Sequence, residues 1–588
     1  FTCLAGCTDR NAPPYRCISR ASLVLPPSPY ATTLLIYFHS ASSYQSIVGW
    51  SIISTASHHQ IVKFSVMADQ TLELPCWPFA LLLSSSLYFY HYPPGEGSVK
   101  IPTVRFSHFL PDFINRLMFI FVAPYLIKYG YEKYRDQPYR VLKADGDLLV
   151  LPPKYLPEIR HLPPSKLSGV DAQFENILGK YTNVLIDSHL PVKTVHKGLT
   201  PAIGRVLPRL LDELQFAFQV EVPDCDGVSN SILISSASTR LTTAVDRWVS
   251  VNLYDMILGL VTRATSRVIV GGNICRNPQW LKTVTSYTIN LGVTVILLRP
   301  FPNFMRPLVA KVLPSVKKLR TQLRFVQKEL FIPMILARRN AEMHDSAYEK
   351  PDDFLQWMMD LAEDDFDKDP ANISQMLLIV MALAVVHTSS MLMTHAIYDL
   401  LIRPEYIEPL REEVRETLKD GWDKVTQASF ASQRRLDSFM RESQRFNPTG
   451  ELSTHRMVME KMVLSDGLVL EKGTHICFPS KPMGMDDSII EDALTFKGFR
   501  WCEDPEARST SLVSISPSNM HFGYGRQACP GRFFAVNTNK AVLSRLIADY
   551  EFKFEDDNNN KRPRNLTLGE QIMPNMHTKI LLRKRDVV

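Results

Sequence analysis

The chain has 588 residues, of which 45% are hydrophobic, so it is long enough to bury a large core in one big domain or in a few smaller ones. Its net charge of +6 comes from 66 basic and 60 acidic side chains, a balance unlike the concentrated basic surface of a nucleic-acid binder, and we expect no nucleic-acid partner. The 9 cysteines lack the paired spacing of a zinc site and the density of a disulfide scaffold, which favours a reducing compartment.

The N-terminal part of the chain divides at Met67, the first methionine. We expect residues 1–66 to be a leader of doubtful status, either disordered or an extension of the gene model. Residues 67–92 predict a membrane anchor, because positions 72–92 contain no Lys or Arg and approach the length of a bilayer-spanning helix. A signal peptide is the competing interpretation. Acidic residues precede this run and basic residues follow it, which predicts that residues 93–588 lie on the cytosolic face.

The following segments predict a mixture of helices and short strands. Residues 108–134 are apolar but broken by Pro111, Pro124 and charged residues, which indicates a segment at the membrane surface. Short alternating apolar runs around Gly146 predict a hairpin. Helical patterns dominate from about residue 200 to 420, residues 452–501 are strand-like, and a helix and a short β-rich stretch close the chain. Residues 93–588 therefore predict one mainly helical domain with small sheets.

A long uncharged helix is predicted to begin at Asp369 and Pro370, which supply an N-cap and a proline at the first helical position. Its uninterrupted apolar stretch is short, which favours a core helix over a second transmembrane span. The helix carries a polar group of residues, His387, Thr388 and Ser389. Such hydroxyls commonly bond back to the preceding helical turn, whereas in a cavity they can organise water and relay protons.

Glu442 and Arg445 lie three residues apart on one face of a predicted helix that ends before Pro448. Such a pair is usually solvated at the surface, but apolar residues on the same helix predict that this one is embedded. Arg500 could close a charged triad with the pair. A buried network of this kind is stabilising only when every member is paired.

Cys529 stands in the segment HFGYGRQACPGRFFA, residues 521–535. One interpretation is a small buried hydrophobe. Gly523 and Gly525, however, let the backbone turn tightly and approach a flat ligand, and a helix is predicted just after the cysteine. The free N–H groups and dipole of that helix lower the pKa of a thiol, as a metal-bound sulfur requires. A catalytic nucleophile is the alternative, for which the loop offers only His521 as a base.

These residues resemble a cytochrome P450, a haem-thiolate monooxygenase, most closely the fungal microsomal type of secondary metabolism. The resemblance rests on F-G-x-G…C-x-G at residues 522–531, on the E-x-x-R of Glu442 and Arg445, and on the F-x-P-x-R-W-like residues 496–501. It implies the cytochrome P450 fold, mainly α with small β-sheets (α+β), in a single large catalytic domain behind an N-terminal membrane anchor.

The resemblance also implies roles for individual residues. The cofactor would be haem b, with Cys529 as the axial iron ligand whose electron donation favours O–O cleavage. Glu442, Arg445 and Arg500 would form a structural triad on the proximal side. Thr388 would bind dioxygen and deliver protons, together with His387 and Ser389. The residues expected to bind the cofactor are Phe522, Gly525, Arg526, Gly531, Arg456 and His521.

The chain departs from the family pattern at four positions. Val385 and His387 replace the usual glycine and acid of the distal motif, so the proton relay must differ from the common scheme, although an imidazole could still serve. Gly498 replaces a proline. Gln527 stands where the family commonly has Arg or His on a haem propionate, and Arg526 or Arg456 could take over that charge.

The function implied by the resemblance is oxidation of an apolar small molecule by O2 at the endoplasmic reticulum membrane. The substrate would be terpenoid, steroid-like or polyketide-derived, and NADPH-cytochrome P450 reductase or cytochrome b5 would supply the electrons. By analogy the pocket residues are Met376, Leu383, Ala384, those at 449–452, Ile572 and Met573. The alternatives are a haem-thiolate isomerase or dehydratase that needs no reductase, a haem-binding protein without turnover, and a structural membrane protein without haem.

Overall fold

The computed structural model describes two compact units of the chain, residues 1–95 and 96–588. In the first unit it describes only the backbone of four antiparallel strands, β1 (Leu35–Ile36), β2 (Trp50–Ser51), β3 (Ile61–Met67) and β4 (Gln70–Pro75). In the second unit it describes residues 101–182, 184, 186, 188–225, 248–503, 511–555 and 561–585. The predicted anchor begins in the β3–β4 hairpin and from residue 76 onward lies outside the described residues, as does most of the predicted leader.

Helices form most of the second unit. Their bounds are α1 Asp112–Lys133, α2 Leu156–Ile159, α3 Gly169–Asn176, α4 Gly179–Thr182, α5 Leu190–Thr194, α6 Thr200–Glu221, α7 Leu253–Ile269, α8 Pro278–Leu298, α9 Arg306–Val312, α10 Pro314–Phe325, α11 Ile332–His344, α12 Phe354–Leu361, α13 Asp365–Lys368, α14 Pro370–Ile379, α15 His387–Leu401, α16 Ile407–Thr417, α17 Gln427–Ser432, α18 Arg434–Phe446, α19 Ser480–Gly484 and α20 Arg532–Asp549. Wider π-helical turns occupy Val195–Leu199, Val326–Phe331 and Val380–Val386. The prediction of a mainly helical domain is therefore confirmed.

The described residues of the second unit also form four small sheets. The largest has six strands in the order β5-β6-β7-β13-β10-β8, the next has the order β14-β17-β9, and β11-β12 and β15-β16 are two-stranded. Their bounds are β5 Thr103–Val104, β6 Tyr139–Lys143, β7 Gly146–Val150, β8 Leu167–Ser168, β9 Val249–Asn252, β10 Ser453–Val458, β11 Met462–Val463, β12 Val469–Leu470, β13 His475–Phe478, β14 Tyr550–Phe554, β15 Leu566–Leu568, β16 Gln571–Met573 and β17 Lys579–Lys584.

The predicted hairpin is formed by β6 and β7, which pair antiparallel with Lys143 opposite Gly146. Val141 and Leu148 face each other in this register and are fully buried. Since successive side chains of a strand point to opposite faces, this register directs one apolar face of the hairpin into the core.

The helix predicted to start at Asp369 runs through α14, the π-helical turn Val380–Val386 and α15. Asp369 caps it by accepting from the Ala371 N–H, and Pro370 occupies the first helical position, as predicted. This helix and α8 are long and apolar enough to cross a membrane, judged by length and composition only. Most of α15 is buried, and it packs against α7 and α18, which supports the prediction of a core helix.

Pro124 lies inside a helix near the N-terminus of the second unit. Helix α1 continues through Pro124 without interruption. A proline inside a helix deprives the carbonyl four residues earlier of its N–H partner. Here that carbonyl belongs to Ile120, and it accepts instead from the N–H of Gly569 at 2.7 Å. A distant segment of the chain therefore compensates for the bond that the proline removes.

Two short elements interrupt regions predicted to be uniform. Strand β9 lies within the helical region and pairs with β17, and helix α19 lies within the strand-like region. Both elements are too short for a periodic pattern to reveal them.

Candidate functional site

The Cys529 loop is a tight turn that only glycine permits at two positions. Gly523 and Gly525 have φ angles of 76° and 74°, in the left-handed region that side chains disfavour. A Cβ atom on Gly525 would also lie 2.5 Å from the carbonyl oxygen of Arg160. The loop closes where the Cys529 N–H donates to the Phe522 carbonyl at 2.7 Å. The sulfur is thus carried by a rigid loop that enters helix α20.

The thiol of Cys529 is exposed, although protein surrounds it. Burial raises its pKa, while the backbone N–H groups of Gly531 and Arg532 lower it by a smaller amount. The thiol is accessible and yet its pKa is raised by burial. The two observations are consistent if the sulfur borders an enclosed space inside the protein. The sequence predicts a lowered pKa for this thiol. The N–H groups do lower the pKa, but burial raises it by more, so the net shift is upward. A bound metal ion would reverse the balance, because it deprotonates a coordinating thiol.

His521 is poorly suited to serve as a base for Cys529. Its buried Nδ1 has no hydrogen-bond partner in the described part of the chain. Burial, together with the charges of Arg441 and Arg445, lowers its pKa to about 3. A group with so low a pKa is an inefficient general base near neutral pH. These properties weigh against a nucleophilic cysteine and leave a metal ligand as the better interpretation.

Gln527 ties the Cys529 loop to a neighbouring part of the fold. Its Oε1 accepts from the N–H of Gly169 at 2.7 Å, and its Nε2 donates to the Leu167 carbonyl at 2.6 Å. The side-chain amide is therefore engaged by the end of β8 and the start of α3. Arg526 is exposed, and its own N–H donates to the Arg160 carbonyl at 3.1 Å.

Arg456 on β10 is a buried cation. Its Nη1 donates to the His455 carbonyl at 2.8 Å, and its Nη2 donates to the Tyr524 carbonyl at 3.1 Å. Burial lowers its pKa to about 10, and no carboxylate among the described residues offsets that effect. A buried charge of this kind is costly unless it is paired. The carboxylate of a bound ligand would provide the missing partner.

The structure brings Glu442, Arg445 and Arg500 together in the core. Arg445 donates to both carboxylate oxygens of Glu442, at 2.9 and 2.7 Å, and Nε of Arg500 lies 3.4 Å from the same carboxylate. Trp501 Nε1 and the Lys497 N–H donate to it as well, each at 3.0 Å. Every oxygen of this fully buried carboxylate is thus paired. Trp501 and Lys497 could not be assigned to the network from the sequence, because their contacts with Glu442 exist only in the folded chain.

Gly498 fits its position better than the proline of the family pattern would. Its N–H donates to the Tyr406 hydroxyl at 3.0 Å, a bond that proline cannot form. A Cβ atom at this position would lie 2.7 Å from the Tyr406 ring and 2.9 Å from the Phe439 ring.

Thr388 and Ala384 are exposed on a helix that is otherwise mostly buried. They stand four residues apart and so lie on one face. The Thr388 hydroxyl donates to the Ala384 carbonyl at 2.8 Å. Ser389 is buried. The hydroxyl of Thr388 bonds back to the preceding turn, and its exposed face leaves it able to accept a hydrogen bond.

His387 is held by two other helices. Its Nδ1 lies 2.8 Å from the Tyr254 hydroxyl of α7, and its Nε2 lies 3.0 Å from the Thr285 carbonyl of α8. Because a carbonyl only accepts, Nε2 carries the proton of the neutral ring and Nδ1 accepts from Tyr254. Burial lowers the pKa of His387 below its usual value, which favours this neutral form.

Two of the segments expected to line a pocket lie against each other. The N–H of Ile572 donates to the Thr449 carbonyl at 3.0 Å, and Gly450 pairs with Gln571. On the long helix Met376 is buried, whereas Leu383 is half-buried. Residues 449–452 therefore contact β16, whereas Met376 and Leu383 lie on the long helix.

Comparison with known proteins gives a consistent result. The sequence model of the family described as Cytochrome P450 matches residues 246–580. Cytochrome P450 monooxygenase janP of Penicillium janthinellum is 45% identical over 511 residues, which cover 87% of this chain and 95% of that protein. Cytochrome P450 monooxygenase penP of Penicillium crustosum is 46% identical over 512 residues, covering 87% and 95%. Cytochrome P450 monooxygenase AtmP of Aspergillus flavus is 46% identical over 495 residues, covering 84% and 91%.

Proposed function

This chain belongs to the cytochrome P450 family, and we propose that Cys529 supplies the thiolate through which the family binds haem iron. The chain is accordingly a monooxygenase with the P450 fold and a haem cofactor. The observation that carries the assignment to Cys529 is its exposed thiol on a glycine-built loop, facing the N–H groups at the start of α20. Thiolate ligation gives haem iron the electron density that favours O–O cleavage.

Arg456 is the residue that we assign to a haem propionate. Its buried guanidinium lacks a carboxylate partner within the described residues and contacts the Cys529 loop through Tyr524. The remaining cofactor contacts would come from the loop itself: Phe522, Gly525, Arg526, Gly531 and His521. Gln527 has no charge and is engaged by Gly169 and Leu167, which leaves Arg456 as the better candidate for neutralising the propionate.

The Glu442 network would hold the proximal side of the site. Arg445 also donates to the carbonyls of Gly484 and Ala493, each at 2.6 Å. Arg500 reaches the carbonyl of Thr495 at 2.9 Å. These bonds tie helix α18 to the end of α19 and to the irregular segment that follows it, and so stiffen this part of the fold.

Thr388 is the residue to which we assign proton handling, with Ser389 beside it on the chain. The hydroxyl proton of Thr388 is directed at the Ala384 carbonyl, while its oxygen can accept from water on the exposed face. Such a hydroxyl relays a proton when its oxygen accepts one from water and its O–H turns from the Ala384 carbonyl to release its own proton to a second acceptor on the exposed face. When bound, the haem supplies the activation of dioxygen with electrons that arrive singly.

The substrate that we propose is an apolar small molecule of secondary metabolism, terpenoid, steroid-like or polyketide-derived. The side chains of Leu383, Ala384 and Ile572 are apolar, in keeping with pockets lined mainly by hydrophobic residues. P450 monooxygenases need an electron donor. For this chain we assign that role to NADPH-cytochrome P450 reductase or cytochrome b5.

Membrane attachment at the endoplasmic reticulum, with the catalytic domain on the cytosolic side, is the final part of this proposal. Apolar side chains are strongly exposed just before and on helix α9: Phe304 at 64%, Leu308 at 66% and Val312 at 64%. Phe109, at 98%, and Tyr125, at 65%, are similarly exposed before and on α1. Exposed apolar side chains of this kind are typical of a surface that contacts a partner or a membrane.

The test is turnover by the full chain in microsomes with NADPH, the reductase and a panel of apolar metabolites. A monooxygenase incorporates one atom of ¹⁸O2 into the product and stops when NADPH or O2 is removed. Product formed without either reagent would indicate an isomerase or dehydratase, and haem binding without any product would indicate a non-catalytic protein. Cys529→Ala should abolish turnover, whereas Cys502→Ala, which removes a half-buried thiol elsewhere, should retain it.

A further inference from the structure

Helix α8 is attached to the π-helical turn Val380–Val386 and to the residue after it by two polar contacts. The Thr288 hydroxyl donates to the Ala382 carbonyl at 2.6 Å. Nε2 of His387 donates to the Thr285 carbonyl at 3.0 Å. Thr285 and Thr288 are three residues apart on α8, and therefore face the same neighbour.

The local geometry of the turn explains why such contacts form there. A π-helical turn inserts extra main chain into a helix and displaces carbonyls from their regular partners. Buried carbonyls need a donor, because an unpaired polar group away from water is unfavourable. The Thr288 hydroxyl satisfies the carbonyl of Ala382, which is fully buried.

His387 is in turn fixed from a second side. The Tyr254 hydroxyl of α7 donates to its Nδ1 at 2.8 Å, and the two rings stack with centroids 6.4 Å apart. Both side chains are buried, Tyr254 at 3% exposure and His387 at 4%. The imidazole thus joins α7, α8 and α15, and neither ring nitrogen is free to bond elsewhere.

We propose that His387 is a positioning residue, which with Tyr254 and Thr288 forms a latch that holds α8 on the turn beside Thr388. The latch is the set of contacts Tyr254–His387, His387–Thr285 and Thr288–Ala382. In this arrangement the proton stays on Nε2, which donates it in a hydrogen bond to the Thr285 carbonyl, and it does not move toward Thr388. The proton that Thr388 handles then comes from water on its exposed face.

The latch explains why this chain carries a histidine where the family pattern has an acid. A carboxylate at position 387 could accept from Tyr254 but could not donate to the Thr285 carbonyl. It would leave two acceptors facing each other in a buried place, which is unfavourable. Glutamine, in contrast, offers one acceptor and one donor at suitable spacing. His387→Asp should therefore loosen the latch, and His387→Gln should preserve it.

The direct test is amide hydrogen exchange of the full-length holoenzyme, read on peptides from α8 (Pro278–Leu298). Loss of one hydrogen bond of about 1 kcal/mol corresponds to exchange about fivefold faster in that helix. We expect this acceleration in Tyr254→Phe, Thr288→Val and His387→Phe. His387→Gln should exchange within about twofold of the wild type, since one amide can replace both bonds.

The matched control is Thr294→Val on the same helix. The Thr294 hydroxyl is buried and donates within α8, to the Asn290 carbonyl at 2.7 Å. Amide exchange of α8 should change less in Thr294→Val than in Thr288→Val. The double variant Tyr254→Phe/His387→Phe should exchange no faster than His387→Phe alone, because both changes remove the same contact. Unchanged exchange in His387→Phe, or equal acceleration in Thr294→Val, would overturn the latch.

A second measurement separates positioning from proton transfer, and it alone rests on the proposed monooxygenase function. Product formed per NADPH consumed should fall in His387→Phe and His387→Asp and return in His387→Gln, which cannot relay a proton as imidazole does. If α8 of His387→Gln exchanges as in the wild type but the variant forms less product per NADPH consumed, the imidazole carries the proton. That result would refute the proposal. Failure to find any thiolate-ligated haem would refute the proposed function but would leave the exchange result standing.

Discussion

Replacing Gly498 by proline, the residue of the family pattern, should destabilise this protein. The substitution removes the hydrogen bond from the Gly498 N–H to Tyr406, which costs about 1 kcal/mol. It also forces atoms into the Tyr406 and Phe439 rings, which an added Cβ would approach to 2.7 and 2.9 Å. Overpacking of this kind costs about 1–3 kcal/mol. The free energy of unfolding should therefore fall by about 2–4 kcal/mol.

The assay is urea unfolding of the holoenzyme, followed by tryptophan fluorescence and by the haem absorbance. Tyr406→Phe removes the hydrogen bond alone and should cost about 1 kcal/mol. Gly498→Ala keeps the N–H and should cost only the overpacking part. Gly292→Ala serves as the control, because nothing lies within 4 Å of a Cβ added there inside α8, and it should stabilise by about 0.5–1 kcal/mol. A Gly498→Pro variant as stable as the wild type would refute this account of the packing.

Three further predictions concern the site. Arg445→Leu should lower the free energy of unfolding by about 3–5 kcal/mol, because it removes the closest cation and two hydrogen bonds from the fully buried Glu442 carboxylate. Denaturant titration of the recovered holoprotein checks this, and a loss below about 1 kcal/mol would contradict it. Arg456→Leu should speed the transfer of haem to a scavenging apoprotein by about tenfold, because one charge-assisted hydrogen bond is lost. An unchanged transfer rate would show that Arg456 does not bind a propionate. Thr388→Ala should retain haem and divert electrons to hydrogen peroxide, which is measured as peroxide formed per NADPH oxidised. The control is Thr394→Ala, which removes a hydroxyl that donates within its own helix to the Ser390 carbonyl. An unchanged ratio of peroxide to NADPH in Thr388→Ala would exclude a proton role for Thr388.

Features that depend on a few neighbouring residues could be predicted from the sequence. Asp369 and Pro370 signal a helix start because capping is a local interaction, and the hairpin around Gly146 follows from short alternating runs. The glycines before Cys529 likewise indicated a tight loop, and their positive φ angles confirm it. The proximity of Glu442 to Arg445 follows from helical spacing alone.

Features that depend on distant partners could not be predicted. Helix α1 survives Pro124 because Gly569, far along the chain, satisfies the carbonyl of Ile120. The contacts of His387 with Tyr254 and Thr285 likewise join segments separated by about a hundred residues or more. No periodicity or local motif records such pairings, because they exist only once helices pack. A polar residue predicted to serve chemistry can therefore prove to hold helices together.

The same limit applies to electrostatics around the sulfur. The sequence indicated that N–H groups at the start of α20 would lower the pKa of Cys529. Burial outweighs them, so the pKa of the free thiol is raised. How much protein surrounds a side chain is a property of the whole fold, and it cannot be judged from the loop alone.

The most direct test of haem-thiolate ligation by Cys529 is the carbon monoxide difference spectrum of the reduced protein in microsomes. We expect the strongly red-shifted Soret band of a thiolate-ligated haem in the wild type and in Cys502→Ala, and its loss in Cys529→Ala. Absence of the band from the wild type, or its persistence in Cys529→Ala, would show that Cys529 is not the thiolate ligand of a haem.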